Sequence, residues 1–529
     1  MSSTVRVVDR RRDPRVRLES LVRIGGDGRK DRKAIGRDIS FGGCSFYVEE
    51  SVELPAPERL EIALTPPRHF VDAIFDSRCR LRGRIARDRP GADGAADHRR
   101  CVAVEFDDDL REVVKKIYQQ RRVKFLLMFL VVLVGIFALK FTTVHYYWYR
   151  PVLNVYSLTV TGYILSRFLL ASFYRPPKDV GFEPTVSIVI PVKDDGDIIG
   201  QTISRCLASD YPESKIELIV VNDGSTDNTL EEICRAQKRF PYLRVINFEQ
   251  NKGKRHAMAA AFQMASNQIL VCIDSDSLVD KYSIHYIVQG FADPSVGAVC
   301  GHAYVLDADN SALTKMQEVR YYIAFKVMKA AEHVFSVVTC CSGCMSAYRK
   351  DYIMGVVDSW LDQKWINRPA TFGDDRSLTN YMLRKYRVLY DSRAVVETAV
   401  PDTWMKFFRQ QLRWKKSWFR ESLIASTFMW YKHPVFAISF YLGILLPLIS
   451  PLIVLSNFVF GPIFSGTMPI YYITGFGLIS LLYSSYYALR RPNGKWPYGL
   501  LFCIVYMAVL AWQTYYAVLT SHKNHWGTR

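Results

Sequence analysis

Hydrophobic and polar positions along the chain fall into blocks of three kinds. Residues 1–118 carry short alternating runs, with Val16, Leu18, Leu21 and Val22 set between polar residues and further runs at 60–64, 79–85 and 101–106. Alternation over so few residues predicts half-buried strands, and several such strands joined by polar turns predict a small β-barrel. A polar, charged stretch at 108–122 predicts a helix that joins this block to the next. Unbroken apolar runs then appear at 125–139, 152–173, 435–459, 470–489 and 498–519, approaching the ~20 residues that a membrane span requires. Between the second and third of them the pattern changes again. Buried-strand runs at 185–192, 217–221, 243–248 and 269–273 alternate with helix-like stretches. That order predicts an α/β domain whose parallel sheet is covered on both faces and binds ligands at the carboxyl ends of its strands.

Composition sharpens this division. The mean hydropathy is 0.00, an average that conceals very polar and very apolar blocks. The formal charge of +18, from 69 Lys and Arg against 51 Asp and Glu, suits nucleic acid, anionic lipid or phosphorylated ligands equally. The apolar segments favour lipid and nucleotide over nucleic acid. Eleven cysteines are scattered, mostly in apolar stretches where they read as small buried hydrophobes. The polar, Arg-rich start predicts no cleavable signal peptide.

Basic flanks set the orientation. Arg121, Arg122 and Lys124 before the first span, and Arg175 and Lys178 after the second, place the N-terminal and α/β domains in the cytosol. Arg167 lies inside the second span, where it either faces a polar channel or snorkels to the interface. Three crossings after the α/β domain would leave the basic tail 522–529 outside, so the last apolar segment is expected to be re-entrant or to lie at the interface. Pro447 and Pro451 mark a break that would instead make a hairpin.

Candidate chemistry gathers at the predicted strand ends and beyond them. Asp223 closes one strand and can accept from a base or ribose, and Lys252-Gly253-Lys254-Arg255 offers a cationic turn for phosphates. Asp274-Ser275-Asp276 is placed to hold a hard cation against a diphosphate. Asp374 and Asp375, on a Gly turn, supply a candidate general base. Gln410, Arg413 and Trp414 could hold a phosphate and a sugar ring, or merely anchor a helix at the interface. Phe407, Phe408, Trp418, Phe419 and Trp430, interleaved with Arg and Lys, predict an amphipathic helix.

Two resemblances organise these residues. Arg11 and Arg15, followed by Asp38, Ser40 and Gly43, make the N-terminal block resemble the PilZ domain, a bacterial receptor for cyclic di-GMP. Guanidinium forks suit phosphate and guanine. The resemblance implies that these five residues bind cyclic di-GMP as an allosteric activator.

From about residue 180 onward the chain resembles membrane-integrated family 2 glycosyltransferases, among them the hyaluronan, chitin and nodulation synthases. The motifs are Val221-Asn222-Asp223-Gly224-Ser225, Asn251-Lys252-Gly253-Lys254-Arg255, Asp274-Ser275-Asp276, Cys341-Ser342-Gly343, Phe372-Gly373-Asp374-Asp375-Arg376, the Gln410–Ser417 run and Trp526-Gly527-Thr528-Arg529. The resemblance implies a GT-A-like fold with Asp375 as general base, Asp374 assisting or shaping the turn, and Asp276 binding Mg2+ or Mn2+. Asp223, Lys254, Arg255, Asp274, Gln410, Arg413 and Trp526 would contact the nucleotide sugar, and Trp414 would stack under the acceptor. Relatives read Tyr-Asn-Glu where this chain has Lys193-Asp194-Asp195, so Asp195 stands in for a donor contact.

The expected organisation is a cyclic di-GMP domain at 1–118, two spans at 119–175, the transferase at 176–402, interface helices at 403–432, further membrane or re-entrant segments at 433–520 and a gating tail at 521–529. The implied activity is processive, inverting polymerisation of a UDP-sugar into an exported polysaccharide at the bacterial inner membrane. GDP-mannuronate polymerisation, a transferase that only relays cyclic di-GMP, and dependence on an export partner or oligomer stay open.

Overall fold

The computed structural model describes residues 16–17, 21–25, 32–40, 43–49, 60–64, 79–90, 99–106, 110–145, 151–466 and 469–522. The chain divides into two compact units, Met1–Gly135 with Leu481–Pro497 and Ile136–Ser480 with Tyr498–Arg529.

The first unit is the expected barrel. Its sheet runs Val16–Arg17, Arg32–Ser40, Leu21–Gly25, Leu60–Leu64, Cys79–Pro90, Arg99–Phe106 and Gly43–Glu49, and the last of these pairs back onto Arg32–Ser40. Pairing of the final strand with an early one closes the sheet and removes its edges. Cys44, Val102 and Val104 are buried. Val16 pairs with Ile39 and Arg17 with Asp38, while Ser40 faces Gly43. The backbone immediately after Arg15 therefore runs beside the Asp38–Ser40 strand, bringing the two halves of the motif together. The side chains of Asp38 and Ser40, and all of Arg11 and Arg15, lie outside the described residues.

The polar linker and the first span, expected as two elements, form one helix, Leu110–His145. Gly135 is the one Gly between 110 and 142 and no Pro, Asn or Asp stands there, so little in the sequence stops the helix where its surroundings change. Gln119–Thr142, Pro434–Phe464 and Tyr498–Leu519 are the described helices long and apolar enough to cross a membrane. Pro151–Ser172 and Ile470–Arg490 are also helical.

The hairpin at Pro447 and Pro451 is not formed. Both prolines sit inside the helix Pro434–Leu455, which continues through a π turn, Ser456–Phe460, into Gly461–Ser465. Apolar residues on every side of this stretch favour one long helix, in which the strain at proline is absorbed locally. The run Tyr498–Leu519 likewise contains a π turn, Tyr506–Leu510. Its Leu510 packs with Leu313, Met316 and Phe407, and Phe502 and Tyr506 close over the same cluster. The last segment thus lies along two helices of the α/β unit, Ala312–Ile323 and Trp404–Met429.

The second unit is built on an eight-stranded sheet. Its order is Arg244–Phe248, Ile216–Asp223, Val186–Val192, Ile269–Ile273, Met345–Arg349, Val296–Val305, Arg387–Thr398 and Ser277–Val279. The first four strands are parallel. Helices Gly196–Leu207, Thr229–Arg239 and Lys254–Met264 connect them, and a helical crossover returns each strand in the same direction. The expectation of a wholly parallel sheet is corrected beyond that point. Met345–Arg349 runs antiparallel to both neighbours, because the chain enters it from the loop at 339–344, at the end where the parallel strands finish. Every residue of Val186–Val192 and Ile269–Ile273 is buried, as continuous apolar runs require.

Candidate active site

Sequence motifs far apart in the chain are joined pairwise by polar contacts at the strand ends. Asp223, buried at the end of Ile216–Asp223, accepts from the backbone amides of Lys252 at 2.7 Å and Gly253 at 3.0 Å. Burial raises its pKa, and those two amides offset part of the shift. Both of its oxygens already hold the cationic turn, so its first role is to fix that loop. Lys254 forms an ion pair with Asp274. Burial would lower the Lys254 ammonium, but the carboxylates of Asp274, Asp375 and Asp374 outweigh burial and raise it. A Cβ at Gly343 would stand 3.0 Å from both Asp274 oxygens and from Lys254 Nζ, so the Cys341-Ser342-Gly343 loop passes this pair with room for backbone alone.

Arg255, next to Lys254, faces the other way. It is 4% exposed, donates from Nε to Asp374 Oδ1 at 2.8 Å and from Nη1 to the Trp360 carbonyl at 2.8 Å, and lies over the Trp360 ring. The guanidinium is thus held by Asp374 and Trp360, with Nη2 left without a hydrogen-bond partner. Asp374 is itself 5% exposed. Asp375 is half-buried, with Oδ1 accepting from the Arg376 amide at 2.9 Å and Oδ2 from the Cys340 thiol at 3.6 Å. Both acids occupy the first turn of Asp374–Lys385, where the positive end of the helix dipole favours carboxylates.

The Gly373 turn is held by the helix Trp404–Met429. Gly373 has φ +79°, and a Cβ there would meet Ser417 Cβ at 2.4 Å. Arg420, 1% exposed, donates to the Phe372 carbonyl and pairs with Glu421 at 2.8 Å. Asn380 donates to the Glu421 carboxylate at 3.0 Å. Sequence reasoning took the stretch beyond Ser417 as an amphipathic helix and did not single out Arg420. Its signal was weak, an Arg-Glu pair spaced to fall on the same helix face as Ser417. Trp414 packs against the central core, with the Arg320 guanidinium 5.2 Å from its ring. Gln410 and Arg413 are half-buried on the same helix. Asp195 accepts from the Ser275 hydroxyl at 2.5 Å and its amide donates to Thr229 at 2.8 Å, which ties it to the middle of the Asp274–Asp276 loop.

Among the described residues no three His, Cys, Asp or Glu side chains form a metal cage. Asp274 is paired with Lys254, and Asp276 accepts from Thr398 Oγ1 at 3.4 Å. This donor set fits a cation held by one carboxylate and completed by phosphate and water oxygens, the usual manner of Mg2+.

Behind the Asp375 turn lies a cavity of about 110 Å³, lined among others by Arg167, Tyr163, Glu332, Arg376, Trp418 and Ser439. Arg167 is 4% exposed and neither its Nε nor its Nη2 has a hydrogen-bond partner. Of the two alternatives for this residue, the structure selects the polar cavity over the interface. Trp526 and the tail around it lie outside the described residues.

Residues 184–417 match the family described as Glycosyltransferase like family 2, and residues 9–120 match the PilZ domain. The chain is 27% identical over 388 residues to the hyaluronan synthase of Streptococcus pyogenes, covering 71% of this chain and 90% of that protein. It is 31% identical over 287 residues to the N-acetylglucosaminyltransferase of Rhizobium meliloti, covering 52% and 66%. Among solved structures, a mannosyltransferase from Pyrobaculum calidifontis in complex with GDP-Man and Mn2+ aligns over 68% of this chain and 99% of its own, at 19% identity and a TM-score of 0.48.

Proposed function

From the premise that the chain is a family 2 glycosyltransferase carrying a PilZ domain, we propose that it is a processive, inverting synthase that extends a polysaccharide from a UDP-sugar and is activated by cyclic di-GMP. The observation that carries this reading is the convergence of Lys254, Asp274 and Asp375, three motif residues from separate elements, with Asp375 open and Asp374 sealed. Asp375 takes the proton from the acceptor hydroxyl as its oxygen attacks the anomeric carbon opposite the leaving nucleotide, which inverts the centre without a covalent intermediate. Lys254 and Arg413 face the diphosphate. Asp276 would hold Mg2+ or Mn2+, which would supply charge neutralisation on the departing nucleotide. Trp414 supports the acceptor ring.

Export is supported by the polar cavity behind Asp375, where Arg167 presents unused donors and Tyr163 and Trp418 are among the lining residues. The orientation proposed is cytosolic for both domains. The last apolar segment, packed along Ala312–Ile323 and Trp404–Met429, is read as re-entrant or lying at the cytosolic interface.

The test supplies UDP-glucose, UDP-N-acetylglucosamine, UDP-glucuronate and GDP-mannuronate, singly and in pairs, with Mg2+ or Mn2+ to protein in detergent. Incorporation of label from a UDP-sugar that is lost in Asp375→Asn is expected; consumption of GDP-mannuronate alone would overturn the donor class. For regulation, cyclic di-GMP at fixed donor concentration is expected to raise turnover, and Arg11→Ala with Arg15→Ala to abolish both binding and activation. Binding that survives the double variant would refute the site.

A further inference from the structure

We propose that Cys340 is a positioning residue for Asp375: its thiol proton, given to Oδ2, holds the carboxylate in the orientation that receives the acceptor proton. The inference rests on Asp375 being the base. Eight contacts support it. The Cys340 Sγ lies 3.6 Å from Asp375 Oδ2, while Oδ1 is held by the Arg376 amide at 2.9 Å, so each oxygen has one donor and retains capacity for the acceptor. The Cys340 carbonyl accepts from Lys329 Nζ, whose ammonium also donates to Cys300 Sγ at 3.3 Å. The Cys341 amide donates to Thr379 Oγ1 at 2.9 Å, and that hydroxyl donates to the Asp375 carbonyl at 2.6 Å. The Thr339 amide and hydroxyl are fixed on Glu332 at 3.0 and 2.9 Å. The loop is therefore anchored on both sides of Cys340, which fixes the point from which the thiol reaches Asp375.

The chemistry explains the residue type. Burial, and then the Asp375 carboxylate, push the thiol up to about 12, so it keeps its proton and donates rather than acting as a nucleophile. A thiol is a weak donor. It restrains the carboxylate while draining little of the basicity that proton abstraction needs, whereas a cation in the same place would pin the carboxylate and disable it. The other groups facing Asp375 are Lys254 from Lys254–Met264, Tyr348 from Met345–Arg349, Lys329 through the Cys340 carbonyl, and Asp374 and Arg376 on its own helix. All of these remain in a Cys340 variant.

The experiment compares Cys340→Ala and Cys340→Ser with the parent in detergent, using the donor selected from the four nucleotide sugars. In Cys340→Ala kcat falls about fivefold, the rate equivalent of one weak hydrogen bond, with donor KM unchanged. Cys340→Ser, which keeps a donor, recovers most of the rate. A donor KM that rises in step with the loss of kcat in Cys340→Ala, or a serine variant no better than alanine, overturns the proposal, as does a rate loss matched by a fall in thermal midpoint. Asp375→Asn separates the two readings. If it is inactive while Cys340→Ala is silent, only the role of Cys340 fails; if it retains turnover, the base assignment fails and this proposal with it.

Discussion

Asp374 and Asp375 are adjacent in the chain and meet opposite surroundings. On the sealed side of the Gly373 turn, Asp374 is spent on Arg255, Arg255 on Trp360, and Arg420 on Phe372, all with little or no exposure. On the open side, Asp375 accepts from one amide and one thiol and faces Lys254 across the site. The same residue types thus do two kinds of work. Where a group is buried and paired inside the protein it fixes the turn, even with a donor such as Arg255 Nη2 left over; where a carboxylate stands open with accepting capacity unused, it can meet a substrate.

Asp375→Asn sharpens this contrast most. Turnover is expected to fall by about two to four orders of magnitude, the range for loss of a general base. The thermal midpoint should stay within error, since asparagine keeps the turn and accepts from the Arg376 amide. Label incorporation and a melt in the same detergent measure both. A large fall in the midpoint would mean that the open side is structural too.

Asp374→Ala should do the reverse. It leaves a buried guanidinium without its carboxylate, a change that costs about 3–5 kcal/mol when a buried pair is broken. Adding Arg255→Met should recover part of that loss, because the uncompensated charge goes with it. Unfolding midpoints of the single and double variants check the order. If Asp374→Ala melts like the parent but is inactive, the two carboxylates have been assigned to the wrong sides.

The division between the two sides was only partly legible in the sequence. Strand ends at Asp223 and Asp274 follow from apolar runs stopping at acids, and the positive-φ turn at Gly373 follows from its residue type. Arg255 could not be placed that way. Lys254 and Arg255 open the same helix, and only the helical twist, which turns consecutive residues to different faces, sends one to Asp274 and the other to Asp374. Arg420 was hidden for a different reason: its partner is a backbone carbonyl, and every residue has one. The reversal of Met345–Arg349 in the sheet was equally unreadable, because strand direction is set by tertiary connection and not by the apolar run itself.

Asp223 gives the smallest effect and the finest cut, since it is buried like Asp374 yet balanced by amides alone. Burial raises its folded pKa above the ordinary carboxylate value, so over the window that opens there and extends upward the folded state binds more protons than the unfolded one. Stability contributed by this group is present below the window and declines as pH rises through it. Asp223→Asn removes the titration but sets an amide donor against one of the two backbone N–H groups, a penalty independent of pH. The slopes, not the midpoints themselves, carry the comparison. From about pH 4 upward, the ordinary carboxylate range, the parent's midpoint should fall relative to that of the variant. If it rises instead, the amides of Lys252 and Gly253 outweigh burial, and Asp223 belongs with the charged, substrate-facing groups of the open side.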